Sequence, residues 1–277
     1  MPPAWLRIAG GNPHLIIVEG LSLASGADKG RIGPFDAACG VAQDRLHRLS
    51  PNAIGCDIDM PSQLSPVPSL EAPRDCPLCP RLVGFREALR EEHPRWWNAP
   101  VPHFGDPDAW LAICGLAPGK QGANRTGRPF TGDHAGLLLY ETLLKFGLAE
   151  GRYEERRDDG LRLNGVAIVN SVKCVPPQNK PTPDEIATCT SAYFRPALAA
   201  LANVRILVAL GQIAHNAAVR AAGGRLAAYR FGHLAEHRLP DGRLLIDSYH
   251  CSRYNQNTNR LTRDMFEAVF ARAMEVR

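Results

Sequence analysis

No apolar stretch in this chain approaches the roughly 18 residues a bilayer span requires, so no membrane helix is expected. The N-terminus, MPPAWLRIAGGNPHLIIVEG, holds one arginine and an apolar run broken by Glu19, which is no export signal. Formal net charge is only +4, so bulk charge does not by itself call for nucleic acid. Neither GxGxxG nor a P-loop occurs, which removes the usual argument for a bound nucleotide. There is no internal repeat. Without an export signal, eight cysteines point to metal binding or free thiols rather than disulfides. A cytoplasmic location is the matching expectation.

What is present is enough for one large domain or two small ones: 277 residues, 45% of them apolar. The first 75 residues stand apart. They hold nine of the 23 prolines and no sustained period, and read as a poorly ordered tail. Met60 offers an alternative translation start at the edge of the compact part. From Cys76 to the C-terminus the pattern is that of a folded domain.

Four short apolar runs organise that domain, each ending in glycine, histidine or polar residues. They are 109–114 (AWLAIC), 165–169 (GVAIV), 205–210 (RILVAL) and 243–247 (RLLID). Runs of this kind are strands buried on both faces. Helical spacing lies between and around them, over 81–92, 136–148, 213–222 and 262–276. A further helix begins at Thr182-Pro183-Asp184-Glu185, a capping box with proline at its first position. Alternating strands and helices imply an α/β fold with a mostly parallel sheet covered on both sides. In such folds ligands bind at the carboxyl ends of the strands, where the unusual residues gather here.

Cys76-Pro-Leu-Cys79 puts two sulfurs on one tight turn. Cys174 follows the second run, and Cys189 lies on the helix opened by the capping box. Four such thiolates suit one zinc ion or one [4Fe–4S] cluster, and ligand identity does not separate the two. Cys114 reads as a small core hydrophobe, and His215 and His237 as satisfied structural histidines.

After the first run, Gly115-Leu116-Ala117-Pro118-Gly119 lets backbone approach a ligand. The following Lys120, Arg125, Arg128 and Phe130 suit phosphates and a stacked base. Asp133 stands where a helix N-cap belongs. Asn170 ends the second run with one donor and one acceptor, matching the amide edge of a pyrimidine. His250 opens HCSRYNQNT after the fourth run and is placed to donate to an anionic leaving group. Arg253 and Tyr254 are suited to a duplex groove or to the gap left by an extruded base.

Taken together, GLAPG with GANRTGRPFTGD, NSVKC, HCSRYNQNT and the four-cysteine spacing resemble the family 5 (type B) uracil-DNA glycosylases, from about Cys76 to the C-terminus. The related family 4 carries an acid where this chain has Leu116. The resemblance implies a three-layer α/β/α sandwich with a central four-stranded mostly parallel sheet. It implies a monofunctional DNA repair enzyme that hydrolyses the N-glycosidic bond of uracil, or of other deaminated bases such as hypoxanthine, and leaves an abasic site. It favours a [4Fe–4S] cluster on Cys76, Cys79, Cys174 and Cys189. Phe130 would stack on the flipped base, Asn170 would bond its Watson–Crick edge, and Gly115–Gly119 would line the pocket. His250 would stabilise the departing base, and Asp133 would orient water or stabilise the sugar cation. Arg253 would contact the backbone of single- or double-stranded uracil-containing DNA, and a monomer is expected. The rival readings are a non-catalytic nucleic-acid binding protein stabilised by a metal or cluster, and an iron–sulfur redox protein.

Overall fold

A computed structural model of the protein describes residues 71–277. The expected tail over 1–75 and the alternative start at Met60 lie outside the described residues, apart from 71–75. Those five already touch the domain: Glu71 accepts from the His103 backbone N–H and Asp75 pairs with Arg90.

The elements begin with α1 (Pro80–Glu92), β1 (Phe104–Gly105) and β2 (Leu111–Gly115). A single turn α2 (Ala123–Thr126) leads to α3 (His134–Lys145). Two short strands, β3 (Ala149–Glu150) and β4 (Arg162–Leu163), pair as an antiparallel hairpin around an irregular arm, before β5 (Val166–Asn170). Then come α4 (Pro183–Cys189), a π turn (Thr190–Phe194) and α5 (Arg195–Ala200). β6 (Ile206–Leu210), α6 (Gln212–Ala221), β7 (Glu236–Arg238), β8 (Leu244–Ser248), α7 (Arg253–Asn257) and α8 (Arg263–Glu275) complete the order.

The main sheet runs β1-β5-β2-β6-β8-β7. Its four inner strands are the four apolar runs, and all pair in parallel. Two short antiparallel strands, β1 and β7, extend the expected four-stranded sheet to six. Every residue of the inner strands is buried, as strands covered on both faces must be.

Alternation decides which residue meets which layer. Leu111, Ile113, Val166, Ile168, Val208 and Ile246 face α3 and α8, where Leu139, Leu143, Phe266 and Phe270 receive them. The intervening Ala112, Cys114, Ala167, Ala209 and Leu245 face Phe194, Leu198, Ala214 and Ala218 on the other side. The strand residues on this second face are mostly small, so α6 can sit close to the sheet. Burial of each large aliphatic side chain contributes about 1.5–3 kcal/mol. Cys114 is a fully buried member of this layer, as expected.

The capping box forms as the sequence predicts: Thr182 Oγ1 accepts from Glu185 N, and the Glu185 carboxylate accepts from Thr182 N. Glu185 also takes a bidentate pair from Arg81, tying α4 to α1. His215 and His237 are structural. They flank the buried Asp247 carboxylate at 2.7 and 3.2 Å, and the other nitrogen of His215 faces the Tyr229 carbonyl at 3.0 Å. Burial works against the charged ring, but the Asp247 carboxylate and the Tyr229 carbonyl outweigh it, so the His215 pKa lies above the ordinary value. Among the described residues no helix is long and apolar enough to cross a membrane.

Candidate active site

A cavity of about 630 Å³ opens at the carboxyl ends of the parallel strands, and Leu116–Gly119, Phe130, Asp133, Asn170, His250 and Arg253 all line it. The residues expected to act together are therefore brought together. Gly115, expected to line the pocket with them, is not among the lining residues; it sits against Asn170 and Phe130, which are.

The GLAPG segment is pinned by Ser171 N and Ser171 Oγ, both donating to Gly115 O, and by Val172 N donating to Leu116 O. Gly115 has a specific reason to lack a side chain. A Cβ there would stand 2.2 Å from Asn170 Oδ1 and 3.0 Å from the Phe130 ring. Asn170 is 3% exposed, and its Oδ1 has no hydrogen-bond partner among the described residues. A buried acceptor left open costs about 1–3 kcal/mol, so it marks a place where a ligand donor belongs.

Phe130 is buried with φ +52°, a left-handed backbone costly for an aromatic residue, by about 1–3 kcal/mol. Its ring centre lies 6.1 Å from that of His250. Asp133 caps α3 through Oδ1, which accepts from Gly136 N at 3.1 Å. Its other oxygen rests on the backbone of Gly119 and Gly122, where a Gly122 Cβ would stand at 2.4 Å. Burial raises the Asp133 pKa above the usual carboxylate value, against backbone donors that lower it. His250 follows β8. Its carbonyl accepts from Asn255 Nδ2 at 2.8 Å, and the Cys251 carbonyl accepts from Gln256 Nε2 at 2.7 Å. The polar run HCSRYNQNT is thus partly a self-bonded turn that presents the imidazole. Burial lowers the His250 pKa, favouring the neutral ring. Cys251 is fully buried and its thiol is pushed far up, which leaves it no role as a nucleophile.

The basic loop differs from the sequence expectation. Arg128 does not reach phosphate. It is 2% exposed, paired bidentately with Asp159 at 2.7 Å on both arms, and surrounded by Phe104, Tyr140 and Tyr153. Lys120 pairs with Glu92, and Arg125 bonds the Gln121 and Gly132 carbonyls. Arg253 remains exposed at the mouth, beside Tyr254, which is 71% exposed. Sequence reading did not single out His134, Asn179 or Gln212, which also line the cavity, nor Tyr153 and Asp159 behind it. Asn179 carries a signal in its neighbourhood: the chain turns there with φ +55° at Gln178 and +57° at Asn179.

Cys76, Cys79, Cys174 and Cys189 line a second, smaller cavity, and all four are free thiols. Arg86 donates to the Cys174 sulfur at 3.6 Å, and the Lys173 backbone N–H donates to the Cys189 sulfur at 3.2 Å. The Tyr193 hydroxyl lies 3.3 Å from the Cys76 sulfur. Lys173 is 1% exposed, and its Nζ has no hydrogen-bond partner among the described residues. Lys173 interacts electrostatically with the Glu71 carboxylate and with Cys189, and Arg86 donates to Cys174, so positive charge borders the four sulfurs as it would an anionic metal–thiolate group. Four thiolates gathered in one cavity fit one metal ion or one iron–sulfur cluster.

The carboxyl ends of a parallel sheet thus gather an aromatic ring, an open carboxamide acceptor, an imidazole and a carboxylate into one ligand-sized cavity. The profile described as "Uracil DNA glycosylase superfamily" matches residues 102–273. A type-5 uracil-DNA glycosylase of Thermus thermophilus is 48% identical over 205 residues, 72% of this chain and 92% of the relative. Those of Pyrobaculum aerophilum and Mycobacterium tuberculosis are each 39% identical, over 72% and 73% of this chain and 88% and 78% of their own. The chain belongs to the uracil-DNA glycosylase superfamily, in its type-5 branch.

Proposed function

We propose that the protein removes uracil from DNA by hydrolysing the bond between C1′ and the base, leaving an abasic site for base excision repair. The open Asn170 Oδ1 beside the Phe130 ring carries this reading, since it accepts from the N3–H of a stacked uracil. The C1′–N1 bond breaks and its electron pair leaves with the base. Neutral His250 donates to the anion as it forms. Ionised Asp133 faces the positive sugar and orients the water whose oxygen bonds C1′. The water's proton passes to the carboxylate and then to solvent. Leu116 and Ala117 set no polar group against the base, which supports acceptance of deaminated purines such as hypoxanthine as well. Arg253 contacts phosphate, and Tyr254 fills the gap left by the extruded nucleotide in either single- or double-stranded DNA. The six described cysteines, all free, suit a cytoplasmic enzyme, and it acts as a monomer.

The test is anaerobically purified protein on a duplex with one uracil, read by alkaline cleavage. Breaks at the uracil alone support the proposal, and DNA binding without any base release sinks it.

Cys76, Cys79, Cys174 and Cys189 would hold a [4Fe–4S] cluster. When bound, the cluster would supply structure rather than electron transfer, because hydrolysis moves no electrons. Its four cysteines would tie the turn before α1 to the exit of β5 and the end of α4. Cys174→Ser should therefore lose iron and lower the melting temperature, while the folded fraction keeps its single-turnover rate. Iron analysis with calorimetry checks this, and stable, iron-free, inactive protein would contradict it.

A further inference from the structure

We infer that Tyr153 is a positioning residue whose hydroxyl sets the Phe130 ring for stacking on the base. The inference rests on the reading of Phe130 given above. It arises from the backbone between Phe130 and Gly132, where φ is +52° and +82°. Such a turn leaves a carbonyl and an N–H pointing away from regular structure. The Tyr153 hydroxyl answers both: it donates to Phe130 O at 3.1 Å and accepts from Gly132 N–H at 3.3 Å. It is the single side chain bonded to both groups across this turn.

The clip is itself held. The Tyr153 ring packs on Tyr140 at 4.5 Å, and the Tyr140 hydroxyl donates to Pro129 O at 2.6 Å. Arg128 lies against both rings, donates through Nε to Thr131 Oγ1 at 2.7 Å, and is fastened by Asp159. Asp159 also accepts from the Glu154 and Leu161 backbone N–H groups, which shapes the arm carrying Tyr153. Gly136 completes the fit, because a Cβ there would stand 1.7 Å from Phe130 O and 2.6 Å from the Tyr153 hydroxyl. Tyr153 touches no reacting atom. It acts through Phe130.

The experiment uses the full chain and a duplex carrying one 2′-fluoro-2′-deoxyuridine, with an all-thymine duplex as control. The quantity read is the ratio of the two affinities. Tyr153→Phe keeps the ring and loses both hydrogen bonds, so the ratio should fall about 5–10-fold. The control affinity should stay unchanged, and the melting temperature should fall by no more than a few degrees, the cost of two lost hydrogen bonds. Phe130→Leu, run in parallel, should lower the ratio as well. A normal ratio in Tyr153→Phe with a lowered one in Phe130→Leu overturns the positioning role alone. A normal ratio in Phe130→Leu overturns the stacking reading beneath it. A Tyr153→Phe variant that melts early and loses control binding shows a merely structural tyrosine.

Discussion

Asparagine at position 133 is expected to slow single-turnover release of uracil by about 10²–10⁴-fold, the range of a positioned acid–base group. The substitution is chosen because Asp133 has two jobs. It caps α3, and it aims a carboxylate into the pocket. Asparagine caps a helix as well as aspartate does, so it removes the charge and keeps the cap. Burial raises the pKa of this carboxyl, so the folded state disfavours its charge. Neutralising it should leave the melting temperature unchanged or raise it. A slow but equally stable variant assigns Asp133 to the chemistry, whereas an unstable variant of normal rate reduces it to a cap. The acid limb that Asp133 sets in the wild type should lie above that of an ordinary carboxylate, because burial raises its pKa, and any limb set by His250 should lie below that of an ordinary imidazole.

Alanine at His250 should cost about 10²–10³-fold in the same assay, the loss typical of one donor to a developing anion. Affinity for uracil-free duplex should be spared, because the carbonyl that anchors the turn belongs to the backbone and survives the change. The decisive comparison is between uracil and 5-fluorouracil in DNA. The fluorinated base leaves more readily as an anion and needs less help, so the penalty of the substitution should shrink with it. An equal penalty on both bases would remove His250 from leaving-group stabilisation.

The sheet core was legible in the sequence because its four strands are short, mostly apolar and end in glycine or polar residues. The outer strands β1 and β7 were not, since two or three half-exposed residues such as Phe104-Gly105 or Glu236–Arg238 carry no period. The capping box and the Asp133 cap were legible because their partners lie three residues away. Arg128 was misread for the opposite reason. Its charge is visible in the sequence, but Asp159 sits 31 residues further on, and only the fold shows that the pair is buried. Tyr153 was invisible for the same cause. The apolar walls and polar ends of the pocket are local facts, while the braces behind them depend on distant partners.

Gly115 carries the longest consequence. A Cβ at position 115 would collide with the Asn170 side chain and press on the Phe130 ring, so two groups that line the pocket keep their places because a single hydrogen atom stands there. The arrangement is brittle for the same reason, since any side chain at position 115 must displace one of them.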